Sequence, residues 1–224
     1  MKIQTTRHLW NSDEKMEARS ETIINTYREI FERKCIPHNK QYWTLCGDLS
    51  NGDCTPNPRS EYCQIIEEGL IQPNQFFGVD NNISIIEKNK LIYPQLNFYA
   101  NDFLKQLKES SKSNFDPAVV NADYTCMTEK ASTYSAKILY FLSHKHKNIK
   151  NVMVIFNMML NNPYRGIGDI EQNNWYDFCD SLSDEPRWQQ CNSHWEHYPS
   201  IYKYYGNGLS SKTYMCTQIF YNRS

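Results

Sequence analysis

The chain has 224 residues, of which 40% are hydrophobic and 14% aromatic, and its formal net charge is −1. This composition excludes a disordered chain and predicts one domain with a sizeable core. The near-zero charge argues against a general nucleic-acid coat or a membrane-surface protein, so a nucleic-acid substrate would have to be held by a local basic patch.

Eight cysteines are compatible with disulfides, but the chain starts without the charged, apolar and small-residue segments of a signal peptide. Several of the cysteines lie inside apolar runs, as buried free thiols do. No apolar stretch approaches the length that a membrane span needs. We therefore expect a reduced protein in the cytoplasm, or in a virus-infected cytoplasm, without membrane contact.

The first 39 residues predict an arm followed by one amphipathic helix, in which Ile23, Tyr27 and Ile30 recur near helical spacing. From residue 40 onward, short apolar runs alternate with helical patterns. The predicted strands are 42–46, 75–80, 96–100, 117–124 and 152–159, with a helix after each of the first four. Such alternation predicts a parallel sheet with right-handed crossovers.

The end of the chain breaks this rhythm. Residues 161–199 are polar and aromatic with little periodicity, and 201–205, Gly206-Asn207-Gly208 and 213–221 then predict a β-hairpin. We therefore predict an α/β fold with a mostly parallel central sheet flanked by helices. Its C-terminal β-hairpin adds an antiparallel last strand, and one domain spans 40–224 with an aromatic-rich insertion at about 161–199.

Three successive predicted strands end in an aspartate, namely Asp48, Asp80 and Asp102. In an open parallel sheet, ligands bind beyond the carboxyl ends of the strands, where the strand order reverses. Carboxylates at that edge can accept hydrogen bonds from hydroxyl and amino groups, and Gly47 lets the backbone approach a ligand closely. The alternative is that these aspartates only form turns and cap the helices that follow.

With these acid-ended strands and the closing hairpin, residues 40–224 resemble the class I S-adenosylmethionine-dependent methyltransferases, whose fold is Rossmann-like. The resemblance implies S-adenosylmethionine as cofactor. It places Cys46, Gly47 and Asp48 beside the methionine part of the cofactor. It also assigns the nucleoside to Asp80 and Asn81 at the ribose and Asp102 and Phe103 at the adenine.

The same resemblance places Asn121, Asp123 and Tyr124 at the motif that faces the transferred methyl group, which makes them the candidate catalytic residues. Methyl transfer from a sulfonium depends mainly on orientation and desolvation. Asp123 would accept a proton or hydrogen-bond an acceptor amine, and Tyr124 would stack on a flat substrate. The methyl acceptor and the oligomeric state stay open, with a nucleic-acid base slightly preferred as acceptor.

Two alternatives accompany this prediction. A catalytically silent binding or regulatory protein of the same fold, for example a viral one, would have the same strand pattern. A viral structural or host-interaction protein without the cofactor is the other. Failure to bind the cofactor would indicate the structural or host-interaction protein. Binding without methyl transfer would favour the silent binding protein over an enzyme.

The insertion carries a further candidate group, Cys179, Cys191, His194 and His197, because zinc takes four nitrogen or sulfur donors. Their spacing matches no standard zinc pattern, so we interpret the histidines as polar surface and assign no metal ligand, and zinc binding by these four residues stays an open alternative. The aromatic residues of the same segment would either stack on a planar acceptor or pack the insertion onto the sheet. They are Trp175, Tyr176, Trp188, Trp195 and Tyr198.

Overall fold

The computed structural model describes residues 16–17, 19–32, 40–51, 54–124, 128–144, 151–160, 179–204 and 213–222. In these ranges, seven strands form one sheet: β1 Gln41–Leu45, β2 Phe76–Asp80, β3 Asn97–Ala100, β4 Pro117–Tyr124, β5 Val152–Leu160, β6 Trp195–Tyr204 and β7 Thr213–Asn222. The first helical segment, α1, consists of the consecutive stretches Ser20–Ile24, Asn25–Tyr27 and Arg28–Glu32. The later helices are α2 Glu61–Glu67, α3 Ile83–Ile92, α4 Phe103–Ser110, α5 Thr128–His144 and α6 Pro186–Cys191.

The strand order is β3-β2-β1-β4-β5-β7-β6. Strands β1 to β5 pair in parallel, whereas β7 pairs antiparallel with both β5 and β6 and so lies between them. The predicted α/β fold, with a parallel sheet and an antiparallel last strand from a C-terminal hairpin, is confirmed. The order reverses between β1 and β4, which is where this class of sheet binds its ligands.

Helices cover both faces of the sheet, which explains why its central strands are apolar nearly throughout. On one face, α1, α2 and α3 pack against side chains such as Tyr42, Phe76 and Val119. On the other face, α4, α5 and α6 pack against side chains such as Trp43, Val120 and Val154. Successive residues of one strand therefore serve different cores.

Side-chain caps begin α2 and α3. The Ser60 hydroxyl accepts the Cys63 amide at the start of α2 (3.3 Å), and the Asn82 side chain accepts the Ser84 amide at the start of α3 (3.0 Å). Serine and asparagine are favoured at this position because their side-chain oxygens accept an unpaired amide of the first helical turn. Within the described ranges, no helix combines the length and the apolar character that crossing a bilayer requires.

The C-terminal hairpin starts earlier than predicted. Strand β6 begins at Trp195, so residues 195–199 belong to the sheet rather than to the insertion, where the sequence pattern had placed them. The reason is tertiary: ten residues of β7 supply hydrogen-bonding partners along the whole of β6, whatever its own polarity. Trp188 packs on Phe220, and the buried Trp195 donates its indole N–H to the Ser143 hydroxyl (2.8 Å). These two rings therefore pack this part of the chain onto the sheet. The predictions for residues 1–15 and 161–178 lie outside the described residues.

Gly78 in β2 is a position where the sheet leaves no room for a side chain. A Cβ atom there would lie 2.7 Å from the Phe98 ring and 2.9 Å from the Cys46 sulfur. We predict that Gly78→Ala lowers the free energy of unfolding by about 1 to 3 kcal/mol, because overpacking forces neighbouring side chains out of their rotamers. Urea denaturation checks this value. The loss should shrink when Gly78→Ala is made in a Phe98→Leu background, and an equal loss in both backgrounds would contradict the assigned clash.

Candidate functional site at the carboxyl edge of the sheet

The first three strands end at one edge of the sheet. The Cys46 amide donates to the Val79 carbonyl oxygen (3.2 Å), and the Asn101 amide donates to the Asp80 carbonyl oxygen (3.1 Å). These bonds align the ends of β1, β2 and β3 side by side. Asp48, Asp80 and Asp102 therefore follow neighbouring strand ends, and they lie at the edge where β1 separates from β4.

The loop after β1 turns at Gly47, whose φ of +54° is a conformation that favours glycine. A Cβ built on Gly47 would meet nothing within 4 Å among the described residues, so that side of the turn is open. The buried Asn89 of α3 donates to the Gly47 carbonyl oxygen (2.7 Å) and accepts the Leu49 amide (3.0 Å). The loop is thus fixed by α3, and the space beside the Gly47 Cα is not filled by any described residue.

Asp48 is held by partners from its own loop and from α3. One carboxylate oxygen accepts the Ser50 hydroxyl (2.6 Å) and amide (2.9 Å), and the other pairs with the Lys88 ammonium (3.0 Å). Burial by itself would raise the pKa of Asp48, but the hydrogen bonds from Ser50 and the charge of Lys88 outweigh burial and lower it below the usual 3.8. Both carboxylate oxygens are therefore engaged within the protein.

Asp80 keeps part of its carboxylate available. Its Oδ1 accepts the Asn82 amide (2.8 Å), and among the described residues no hydrogen bond reaches its Oδ2. Asp80 is half-buried and the neighbouring Asn81 is exposed. Burial raises the pKa of the Cys46 thiol, and the Asp80 and Glu61 carboxylates raise it further.

Asp102 lies at the start of α4 and is exposed. It accepts the Lys105 amide (2.9 Å) as the helix cap, which is the role that the sequence left as the alternative to ligand binding. The next residue, Phe103, is 5% exposed and belongs to the core beneath α4. The predicted adenine residues thus lie at the expected edge, with Phe103 packed inward.

The end of β4 carries the three predicted catalytic residues in different surroundings. Asn121 is fully buried, and Asp123 is half-buried. The backbone of Tyr124 pairs with Met158 of β5, and its side chain lies outside the described part of the chain. Asn121 and Asp123 lie two residues apart on one strand and so share one face of the sheet.

Asn121 belongs to a buried chain of hydrogen bonds that crosses the sheet under this edge. The Glu61 carboxylate accepts the Tyr42 hydroxyl (2.7 Å) and the Asn121 amide (2.9 Å). The Asn121 oxygen accepts the Asn157 amide (3.2 Å), and the Asn157 oxygen accepts the Thr217 hydroxyl (2.8 Å). This buried chain, Tyr42–Glu61–Asn121–Asn157–Thr217, connects β1, α2, β4, β5 and β7.

Sequence reasoning missed four of these five residues. An acid in the first turn of a helix is explained by the helix dipole, so Glu61 gave no separate signal. Burial and the Glu61 carboxylate raise the pKa of Tyr42 well above its usual value, which keeps the phenol protonated as a donor. Thr44 lies on the same face, and its buried hydroxyl has no hydrogen-bond partner in the described part of the chain.

The candidate zinc residues contact different neighbours. His197 stacks on Phe220 and pairs with Gln218, and Nδ1 of His194 lies 3.2 Å from the Cys191 carbonyl oxygen. Burial raises the pKa of the Cys179 and Cys191 thiols to about 11, so both are protonated at neutral pH. Among the described residues, which include all four, no group of three or more metal-ligating side chains is present.

Comparison with known proteins finds likeness in structure alone. No protein-family model and no curated protein matches the sequence. The chain is similar to a precorrin-6y C5,15-methyltransferase of Geobacter metallireducens (11% identity, 91% of this chain and 87% of that chain, TM-score 0.46). It is also similar to an O-methyltransferase of Bacillus cereus in complex with SAH (11% identity, 92% and 96%, TM-score 0.45).

A third similar structure is a SAM-dependent methyltransferase of Agrobacterium tumefaciens (8% identity, 90% of this chain, TM-score 0.47), of which this chain spans 62%. The strand order, with β7 inserted antiparallel between β5 and β6, decides the fold. The chain has a Rossmann-like fold with one strand inserted antiparallel near the end of the sheet. That is the fold that the sequence resemblance implied.

The lowered pKa of Asp48 predicts a specific acid sensitivity. A carboxyl whose pKa is lower in the folded than in the unfolded state stabilises the fold above the unfolded pKa. That contribution is lost as the pH falls below about 4, through the folded pKa. We expect the difference in unfolding free energy between wild type and Asp48→Asn to be larger at pH 7 than at pH 3, measured by urea denaturation. Asp184→Asn, an exposed aspartate distant in sequence, is the matched control, and a difference independent of pH would contradict the ion pair's role.

Proposed function

We propose that this protein binds S-adenosylmethionine at the carboxyl edge of the sheet and transfers its methyl group to an acceptor. The observation that carries the proposal is the reversal of strand order between β1 and β4, with the open turn at Gly47 and the half-buried Asp80 at the same edge. The carboxyl edge at such a reversal is the ligand site of doubly wound sheets.

The chemistry of the edge fits a nucleoside with a charged tail. Asp80 offers a carboxylate oxygen that no described residue occupies, which suits the two hydroxyls of a ribose. Asp102 caps α4 through one oxygen, and its second oxygen suits the adenine amino group. Phe103, buried under α4, would fix the position of that cap rather than stack on the base.

The tail of the cofactor would lie against the loop that begins at Cys46 and Gly47. The open side of Gly47 leaves space for a ligand to approach the backbone closely. When bound, S-adenosylmethionine supplies a methyl group on a positively charged sulfur. The protein has to orient the acceptor in line with that carbon and exclude water.

Asp123 is the residue that we assign to the acceptor. It lies at the tip of β4, is half-buried and carries a carboxylate that can hydrogen-bond an amine or take up its proton. We assign Asn121 a positioning role instead, because its side chain is fully buried and bonded to Glu61 and Asn157. A role for Tyr124 and a nucleic-acid base as acceptor stay predictions, as does the cytoplasmic location.

A catalytically silent binding protein is the second candidate. The observation that favours it is that the side chains of Asn121 and Asp48 are both committed to contacts within the protein. Isothermal calorimetry with S-adenosylmethionine, followed by a methyl-transfer assay over nucleic-acid, protein and small-molecule acceptors, separates the two. Binding with transfer supports the enzyme, and binding without transfer to any acceptor class supports the silent protein.

We predict that Asp80→Ala weakens the binding of S-adenosylmethionine by about 1 to 3 kcal/mol, because hydroxyl groups of the ligand lose their acceptor. Calorimetry measures this loss. The matched control is Asp116→Ala, which removes an aspartate just before β4, at the opposite edge of the sheet. Unchanged affinity in Asp80→Ala would remove Asp80 from the site.

We predict that Asp123→Ala spares cofactor binding and lowers turnover by about 10²- to 10⁴-fold, the range that general acid–base groups contribute. Calorimetry and single-turnover methyl transfer, run on the same preparation, provide the two values. A comparable loss of binding and turnover would show that Asp123 holds the cofactor and does not act on the acceptor.

A further inference from the structure

The loop after β1 is held by two consecutive residues of α3. Lys88 pairs with the Asp48 carboxylate (3.0 Å), and the Asn89 side chain contacts Cys46, Gly47 and Leu49. Four successive loop residues, 46–49, are thus fixed by side chains that lie about 40 positions later in the chain. We call this set of contacts the α3 brace.

Asn89 is the centre of the α3 brace. It is fully buried, and its amide group donates to the Gly47 carbonyl (2.7 Å) while its oxygen accepts the Leu49 amide (3.0 Å). A single side chain therefore satisfies a backbone acceptor and a backbone donor on either side of Asp48. A buried backbone group left without such a partner is costly, so Asn89 favours one conformation of the turn.

Lys88 and Asp48 form the outer part of the α3 brace. Their side chains are 19% and 28% exposed, so the pair is more shielded from water than a surface ion pair. The Ser50 hydroxyl and amide occupy the other Asp48 oxygen. Asp48 therefore supports the loop through contacts within the protein, and its place beside the methionine part of the cofactor stays a prediction.

We propose that the α3 brace preorganises the loop at Gly47 for the cofactor's amino-acid tail, with Asn89 as the positioning residue. This inference rests on the proposed function. Contacts that fix the loop before the ligand arrives reduce the ordering cost that its backbone would otherwise meet at binding. The open side of Gly47 then faces the tail, whereas Asp80 and Asp102 hold the nucleoside independently.

The test compares two ligands that share the nucleoside. S-adenosylhomocysteine carries the amino-acid tail, whereas methylthioadenosine lacks it. Calorimetry with both ligands on wild type and Asn89→Ala should show a loss of about tenfold, or about 1.4 kcal/mol, for S-adenosylhomocysteine. Methylthioadenosine should change by less than about twofold. Asn74→Ala, an exposed asparagine before β2 at the opposite edge, is the matched control.

Each other outcome has a definite meaning. Equal losses for both ligands, or no loss for either, would overturn the positioning role of Asn89 while leaving the proposed function in place. Wild-type protein that binds neither ligand would overturn the proposed function and the inference with it. These results are distinguishable because the wild-type titration is read first.

A second variant covers the case in which Asn89→Ala does not fold. Lys88→Met keeps the apolar stem and removes the charge that holds Asp48. It should weaken S-adenosylhomocysteine at least threefold and leave methylthioadenosine unchanged, whereas Lys90→Met, an exposed neighbour on α3, should change neither. Unchanged binding of S-adenosylhomocysteine by Lys88→Met would overturn the contribution of the ion pair to the α3 brace.

Discussion

The reversal of strand order between β1 and β4 is the constraint on which the rest of the structure depends. Strands β1 and β4 are neighbours in the sheet, yet the helices that follow them pack on opposite faces. In sheets of this class, such a reversal makes the two following loops diverge at the carboxyl edge, which is where ligands bind. Glu61 of α2 is tied to both strands there, through Tyr42 on β1 and Asn121 on β4. A carboxylate this deeply buried is tolerated only where such hydrogen bonds replace its hydration.

The strands were predictable because burial on both faces makes them apolar. β4 was predicted at 117–124 and is observed at Pro117–Tyr124, and β1, β2 and β3 differ from their predicted ranges by one residue. Strand β6 was not predictable over its first residues, which include Glu196 and His197. There the pairing with β7 overrides local polarity, as tertiary context commonly does for β-strands.

The edge itself was predictable, and the roles of its side chains were less so. A strand followed by Asp has the same local sequence pattern whether the carboxylate caps a helix, forms an ion pair or faces a ligand. Asp102 caps α4, Asp48 pairs with Lys88, and Asp80 retains an oxygen that no described residue uses. What separates these cases is a partner about 40 residues away, as for Asp48 and Lys88, and no local pattern contains that information.

The buried chain from Glu61 to Thr217 also has a direction. A carboxylate can only accept, so Asn121 must turn its NH₂ group toward Glu61 and its oxygen toward Asn157. Asn157 then has to repeat that orientation toward Thr217. Every donor in the chain points toward Glu61, so the side-chain dipoles of Asn121, Asn157 and Thr217 are aligned toward one carboxylate. One acidic side chain on α2 thereby determines how the side-chain amides of Asn121 on β4 and Asn157 on β5 are oriented. As a result, all hydrogen bonds of this buried polar layer run in one direction.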